Sequence, residues 1–167
     1  DASDESSVIR DANGKVSQWL DKKNTNHLAQ ATAANQPTWG TRTYNGLPVI
    51  DFDGNDWLET ISNVSGNDGP SLTHSSFYIV AYIDSVDNQY DTIFGRRNTG
   101  QAFEFTAGHA SNFYARVEAD SDFANSKTFS GSTDLKGKPI LISFLRNGDT
   151  RINGSSLGSL AKGGSTA

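Results

Sequence analysis

The chain has 167 residues, a length that suits one sandwich-sized domain and is short for two. It contains no cysteine, which excludes a disulfide framework, a thiolate metal site and a cysteine nucleophile. Its net charge is -5, no basic cluster exceeds the pair Arg96 and Arg97, and no apolar run is long enough to span a bilayer, so neither nucleic acid nor membrane insertion is expected.

The first predicted elements are strands separated by turns. Residues 28–35 are alanine-rich but too short for a stable isolated helix before Pro37, so we predict extended or irregular chain, with a short helical turn as the alternative. Residues 48–53 and 57–61 flank Gly54 and Asn55, a pair typical of hairpin turns. We therefore predict a hairpin there.

Two later segments are more strongly apolar. Residues 75–83 are apolar on both alternations, which predicts a central strand covered on both faces. Residues 139–145 have the same character and begin with a proline, which a strand tolerates at its first residue. Many short strands between Gly, Asn, Asp and Ser turns indicate an all-β, antiparallel two-sheet sandwich.

The clearest local geometry is a hairpin formed by residues 101–107 and 112–118, with the turn at residues 108–111. Pairing about the centre of this turn gives one apolar face and one face that carries an ion pair beside an aromatic ring. The predicted partners are Phe103 with Val117, Phe105 with Ala115, Glu104 with Arg116, and Thr106 with Tyr114.

Several pieces of sequence follow one another in a specific order: DASD at 1–4, VSQWLDK at 16–22, QPT at 36–38, and NGLPVIDFDG at 45–54 before Trp57 and Leu58. This order resembles the laminin-G-like jelly-roll modules of the concanavalin A-like lectin/glucanase superfamily, particularly the bacterial and phage-encoded kind. RNGD at 146–149 and ING at 152–154 are similar to the family's late hairpin with its Asn-Gly turn. The resemblance implies a single jelly-roll domain over residues 1–167, in an extracellular, cell-surface or virion protein that often binds carbohydrate.

One feature departs from the family. Its closing strand, which returns beside the N-terminal strand, has no counterpart after Leu160. An open edge of this kind is rarely left bare, so we expect a continuation of the chain or a neighbouring subunit to cover it. The lack of methionine agrees with a processed product or an excised piece.

Three acidic residues suggest catalysis, because jelly-roll glucanases place Glu, Asp and Glu at alternate positions of one strand. Glu118, Asp120 and Asp122 match that spacing and face. The third position holds the shorter aspartate, and no tryptophan lies near it in sequence to stack a sugar. We therefore predict a solvated acidic strand end and no enzymatic activity, with endo-glycanase as the third functional candidate.

A second acidic group lies at residues 51–56, where Asp53 and Asp56 are the better candidates for a metal site. Three carboxylates and an amide within six residues could supply the oxygen ligands that calcium prefers. Aspartate and asparagine at such turns more often serve backbone geometry. No other cofactor is expected.

Ligand binding is expected on the polar face of the late hairpin, where a ring for stacking lies beside charged groups that form hydrogen bonds. The alternative is a solvent-facing strand pair. Two arginines in the preceding segment would add donors. Trp19 and Trp57 are expected in the core, whereas Trp39 is the tryptophan allowed an exposed role. The candidate ligand-binding residues are Glu104, Tyr114, Arg116, Glu118, Arg96, Arg97 and Trp39.

The predicted fold, the family resemblance and the candidate residues together predict a function. The sequence predicts a carbohydrate-binding or adhesion module of a larger extracellular or phage-borne protein, with a cell-surface glycan as its partner. The runner-up is a structural or decoration domain in a surface or virion assembly.

Overall fold

The computed structural model describes residues 1–23, 26–60, 76–84, 91–98, 101–107, 113–118, 127–131, 137–145 and 149–159. Within these ranges the chain forms fourteen strands and two short 3-10 turns, and every strand pairing is antiparallel. The predicted all-β, antiparallel class is therefore confirmed. The chain divides into two compact units, unit 1 (Asp1–Asn67) and unit 2 (Asp68–Ala167). The single jelly-roll domain stays a prediction.

The described residues of unit 1 form six strands in two sheets. The first sheet has the order β1-β2-β3-β6, and the second pairs β4 with β5. The strands are β1 (Val8–Arg10), β2 (Val16–Trp19), β3 (Leu28–Ala29), β4 (Thr38–Tyr44), β5 (Leu47–Asp51) and β6 (Glu59–Thr60).

The β4–β5 hairpin turns at Asn45 and Gly46, which have φ angles of 52° and 76°. Positive φ at both central residues is the geometry that Asn-Gly pairs favour in two-residue hairpins. The predicted hairpin about Gly54 is wrong, because β5 pairs with β4 and β6 pairs with β3. Asn55 donates its backbone N–H to Asp53 Oδ1 (2.8 Å), so that segment forms a local side-chain turn between two sheets.

The alanine-rich segment contains both of its predicted alternatives, extended chain and a short helical turn. Leu28 and Ala29 form β3, and Ala33–Asn35 form one 3-10 turn. After this turn Gln36 is buried and donates its side-chain amide to the carbonyl oxygen of Gln30 (2.7 Å). That bond supplies a partner for a polar group that would otherwise be costly to bury.

Two buried apolar side chains of unit 1 lie at the start of β1 and of β2. Val8 and Val16 are both buried. Trp19 is half-buried, with its indole Nε1 buried, whereas Trp57 is 47% exposed. The prediction that Trp57 belongs to the core is wrong, because this residue lies in the irregular segment before β6 rather than on the inner face of a strand.

In unit 2 the part of the chain that the structure describes forms eight strands in two four-stranded sheets, with the orders β11-β10-β9-β8 and β14-β13-β12-β7. The strands are β7 (Phe77–Tyr82), β8 (Asp91–Asn98), β9 (Gln101–Ala107), β10 (Phe113–Glu118), β11 (Lys127–Gly131), β12 (Pro139–Phe144), β13 (Asp149–Ile152) and β14 (Ser155–Ser159).

The late hairpin has the register that its sequence predicts. Each of the four predicted pairs is a pair of Cα partners between β9 and β10, including Glu104 with Arg116. Its turn, residues 108–111, lies outside the described residues. The β13–β14 hairpin turns at Asn153 and Gly154, with φ angles of 50° and 83°, so the predicted Asn-Gly turn is confirmed as well. Residues 160–167, for which the sequence predicts no closing strand, lie outside the described ranges.

Strand β7 differs from its prediction as a covered central strand. It occupies the end of its sheet order and pairs with β12. Alternate side chains along it are exposed, with Tyr78 at 66% and Val80 at 75%. The central-strand prediction is wrong for the described residues, because an apolar run on both alternations does not distinguish a covered face from an exposed one.

The core of unit 2 is built on β12. This strand begins at Pro139, as predicted, and its Ile140, Ile142 and Phe144 are buried. The ring of Phe77 lies 6.3 Å from that of Phe144 and 6.2 Å from that of Phe94 on β8, measured between centroids. Phe144 is the cross-strand partner of Phe77 in the same sheet, whereas Phe94 lies in the other sheet, so the Phe77–Phe94 contact joins the two sheets of unit 2 and agrees with sheet-on-sheet packing. The jelly-roll order of the strands stays a prediction.

Candidate functional site

The ligand-binding residues predicted on the late hairpin lie in one sheet of unit 2. Glu104 is on β9, and Tyr114, Arg116 and Glu118 are on β10. The backbone register places Tyr114 opposite Thr106 and Glu118 opposite Ala102. Their side chains lie outside the described part of the structure, so the proposed binding face stays a prediction.

Arg96 and Arg97 lie on β8, where their Cα partners are Phe103 and Ala102. Both arginines are strand residues, although the asparagine and glycine that follow them, Asn98 and Gly100, are typical of a loop. Of the three acidic residues, Glu118 is the last residue of β10, while Asp120 and Asp122 lie outside the described residues. Catalysis by this group stays untested.

The candidate metal residues form a turn held by hydrogen bonds. Asp53 donates its N–H to Asp56 Oδ2 (3.3 Å), and its own Oδ1 accepts from Asn55. Burial raises the pKa of the Asp56 carboxyl, and the nearby charge of Asp53 acts in the same direction. Within the described ranges, no three His, Cys, Asp or Glu side chains lie close enough together to hold a metal ion. The hydrogen bonds fit the turn role, and calcium stays a prediction.

Trp39 is the one predicted ligand residue whose side-chain contacts are described. It lies at the second position of β4 and is half-buried. Its indole Nε1–H donates to the carbonyl oxygen of Ala2 (2.7 Å). The guanidinium carbon of Arg10 lies 4.0 Å from the ring centroid, and the same guanidinium forms an ion pair with Glu5. The ring is therefore held in one orientation by a hydrogen bond and a cation–π contact.

The loop between β1 and β2 lies against Trp39. Asp11 Oδ1 accepts backbone N–H groups from Asn13 (2.9 Å) and Lys15 (2.8 Å), which closes the loop. The carbonyl oxygen of Gly14 accepts the N–H of Trp39 (2.9 Å). Gly14 has a φ of +80°, in the left-handed region that favours glycine.

Strand β4 bulges directly after Trp39. The register with β5 passes from Trp39 opposite Ile50 to Thr43 opposite Pro48, so that three residues of β4 stand against one of β5. Gly40, with a φ of +74°, begins this bulge. The bulge and the loop enclose an open cleft of about 670 Å³, lined by residues 10–14 and 39–41. We call it the Trp39 cleft.

The cleft combines the groups that small polar ligands require. An aromatic ring and a guanidinium stand beside the carboxylate of Asp11, the amide of Asn13 and the hydroxyl of Thr41. Asp11, Asn13 and Thr41 are exposed. A ring for stacking with a few hydrogen-bonding groups placed around it is the usual composition of a small-molecule site.

Sequence reasoning identified Trp39 and missed its neighbours. Asp11, Asn13 and Gly14 stand in a typical turn composition between two apolar segments, which is a signal for a hairpin loop. That signal does not show that the loop lies against β4, because the contact joins residues more than twenty positions apart in the chain. Trp39 lies in unit 1, and the late hairpin lies in unit 2.

Comparison of the chain with protein-family models, curated proteins and solved structures finds no match. Membership of the laminin-G-like family therefore stays a prediction from the order of short motifs. Within the described residues, no helix has the length and apolar character that crossing a membrane requires.

Proposed function

We propose that this chain is a laminin-G-like carbohydrate-binding or adhesion module of a larger extracellular or phage-borne protein, and that the Trp39 cleft is its glycan site. The observation that supports the proposal is the composition of that cleft, in which an oriented indole ring borders a carboxylate, an amide and a hydroxyl. Sugars present apolar C–H faces for stacking and hydroxyl groups for hydrogen bonds.

The shape of the cleft also supports a glycan. It is open to solvent along the loop and the bulge, so that one or two units of a longer chain could enter while the rest of the glycan stays outside. A carboxylate, an amide and a hydroxyl together supply acceptors and donors for several sugar hydroxyls.

The carboxylate content of the cleft supports binding rather than hydrolysis. Among the described residues that line it, Asp11 is the one carboxylate. Canonical glycosidases need two carboxyl groups, at about 5 Å for retention or about 6.5–9.5 Å for inversion. The lone Asp11 therefore fits recognition of sugar hydroxyls.

The experiment is a glycan array followed by calorimetry on the best glycan. We expect Trp39→Ala to weaken binding about tenfold or more, a loss of about 1.4 kcal/mol. Trp57→Ala is the matched control, because Trp57 is an exposed tryptophan of the same unit and lies outside the cleft lining. Thermal unfolding must show that both variants fold. Equal affinity of the Trp39 variant and the unaltered chain would contradict the site.

A structural or decoration domain is the second candidate, and an exposed apolar face favours it. Tyr78, Val80 and Tyr82 on β7 and Leu141 on β12 are all exposed. Val80 and Leu141 are direct cross-strand partners, so these side chains form a continuous patch. Patches of this kind often mark contacts between proteins. Self-association in light scattering that Val80→Lys abolishes, together with an empty glycan array, would favour this candidate.

A further inference from the structure

The two carboxylate oxygens of Asp11 have different surroundings. Oδ1 accepts the backbone N–H groups of Asn13 and Lys15 and closes the loop. Oδ2 has no hydrogen-bond partner in the part of the chain that the structure describes, and Asp11 is an exposed residue of the cleft lining. One oxygen therefore serves the fold, and the other is available to a ligand.

A carboxylate oxygen of this kind selects its ligand by chemistry. It accepts hydrogen bonds and donates none, so it pairs with hydroxyl donors. One oxygen has room for two donors, which suits adjacent hydroxyl groups on a pyranose ring. A sulfate, phosphate or uronate group instead brings acceptors and a like charge, which the site disfavours.

Two described cations at or beside the cleft, Arg10 and Lys15, are already paired. Arg10 lies over the Trp39 ring and forms an ion pair with Glu5. Lys15 donates its ammonium to the carbonyl oxygen of Gln36 (2.7 Å). An anionic sugar would therefore have to displace one of these contacts to gain a countercharge, whereas an uncharged sugar would not.

We infer that the Trp39 cleft takes an uncharged pyranose with adjacent free hydroxyl groups, and that Asp11 Oδ2 is the group that selects it over anionic glycans. This inference rests on the proposed function, since it names the class of glycan for the same site. The Asn13 amide lines the same cleft and adds an NH₂ donor group and a carbonyl acceptor for a further hydroxyl.

The decisive variant is Asp11→Asn. Asparagine keeps a carbonyl oxygen for the two loop N–H groups and is favoured in such turns, while it replaces the outward acceptor with an NH₂ donor. The loop is therefore expected to persist while its selectivity changes. Asp21→Asn is the matched control, because Asp21 Oδ1 accepts the N–H of Lys23 (2.9 Å) in a similar turn outside the cleft lining.

The probes are oligosaccharides of β-linked glucose, galactose, mannose and N-acetylglucosamine, each with its 6-sulfated counterpart. We expect the unaltered chain to prefer an unsulfated form at least tenfold. Asp11→Asn should bind the unsulfated form at least tenfold more weakly and should show a smaller preference for it over the sulfated form. Asp21→Asn should keep both the affinity and the preference of the unaltered chain. Equal thermal unfolding midpoints for the two variants identify the change as one of recognition.

The outcomes separate this inference from the proposed function. Binding that Trp39→Ala abolishes and Asp11→Asn leaves unchanged overturns the role of Asp11 alone. A preference of the unaltered chain for sulfated forms overturns the assignment of an uncharged ligand. If the unaltered chain binds none of the probes, the proposed function and this inference fall together.

Discussion

Gly14 and Trp39 are in direct backbone contact: the Trp39 N–H donates to the Gly14 carbonyl oxygen over 2.9 Å, and a Cβ atom on Gly14 would lie 3.1 Å from the Trp39 carbonyl oxygen. The pairing fixes the distance between the β1–β2 loop and the start of β4. Those two segments form the opposite walls of the Trp39 cleft.

The first prediction concerns this contact. Gly14→Ala should lower the free energy of unfolding by about 2 kcal/mol, because a non-glycine residue is strained at positive φ and its Cβ would press on the Trp39 carbonyl. Urea unfolding measures the change. Gly46→Ala is the matched control, since its φ of +76° imposes similar strain with nothing within 4 Å. An equal loss of unfolding free energy in the two variants would mean that the contact of the new Cβ with the Trp39 carbonyl does not add to the destabilisation.

The second prediction concerns acid. Hydrogen bonds from Lys22 (2.6 Å) and Ser6 lower the pKa of Asp4 from 3.8 to about 2. A lowered folded-state pKa means that the unfolded state binds the proton more readily. The stabilisation by Asp4 is therefore complete above pH 3.8 and is lost as the pH falls through about 2.

Urea unfolding at a series of acidic pH values tests this contribution. Asp4→Asn should remove part of the acid-dependent fall in stability, so that its curve is flatter than that of the unaltered chain. Parallel curves between pH 3.8 and about 2 would contradict the assignment.

The third prediction concerns Asp56, whose effect on stability has the opposite pH dependence to that of Asp4. Asp56 Oδ1 is buried without a hydrogen-bond partner among the described residues, and burial raises the pKa of its carboxyl. The folded state then binds the proton more readily, so the stabilisation is present below pH 3.8 and is lost as the pH rises through the raised value. The change in the free energy of unfolding that Asp56→Asn causes should therefore be more favourable at pH 7 than at pH 3. Urea unfolding at both values measures this, and an effect independent of pH would refute it.

The fourth prediction compares the two candidate binding faces. We expect Trp39→Ala to weaken glycan binding at least tenfold, and to weaken it more than Tyr114→Ala combined with Arg116→Ala does. Calorimetry on the same glycan gives both numbers. A larger loss in the double variant would move the principal site from the Trp39 cleft to the late hairpin.

The fifth prediction is that the chain does not hydrolyse laminarin, agarose or mixed-linkage glucan. Asp122 stands where the glucanase pattern has glutamate, and its shorter side chain would hold the carboxyl away from a leaving-group oxygen. Release of reducing sugar measures hydrolysis. Turnover that Glu118→Gln abolishes would establish the glycanase alternative.

The late hairpin could be predicted to the residue, because both of its faces constrain the register at once. A shift of one position would place Glu104 against an apolar residue and move every side chain to the opposite face. The Asn153 turn was predictable for a related reason, since Asn-Gly supplies the two positive φ angles that the hairpin needs.

The pairing of β5 was not predictable from local signals. Turn compositions stand at both of its ends, at Asn45 and at Gly54, and each is consistent with a hairpin. In the structure β6 pairs with β3, and β5 pairs with β4. Because β3 and β6 are far apart in the chain, no local signal shows which of the two hairpins forms. The Trp39 cleft escaped prediction for the same reason, because its two walls are distant in sequence and meet through the backbone of Gly14.

All three tryptophans, Trp19, Trp39 and Trp57, lie in unit 1, and unit 2 has none. Tryptophan fluorescence therefore originates in unit 1, while far-ultraviolet circular dichroism reports on the strands of both units. One cooperative jelly-roll domain requires the two signals to change together during unfolding. Because the tryptophans are confined to unit 1, unfolding of the unmodified chain is enough to test whether unit 1 and unit 2 unfold together.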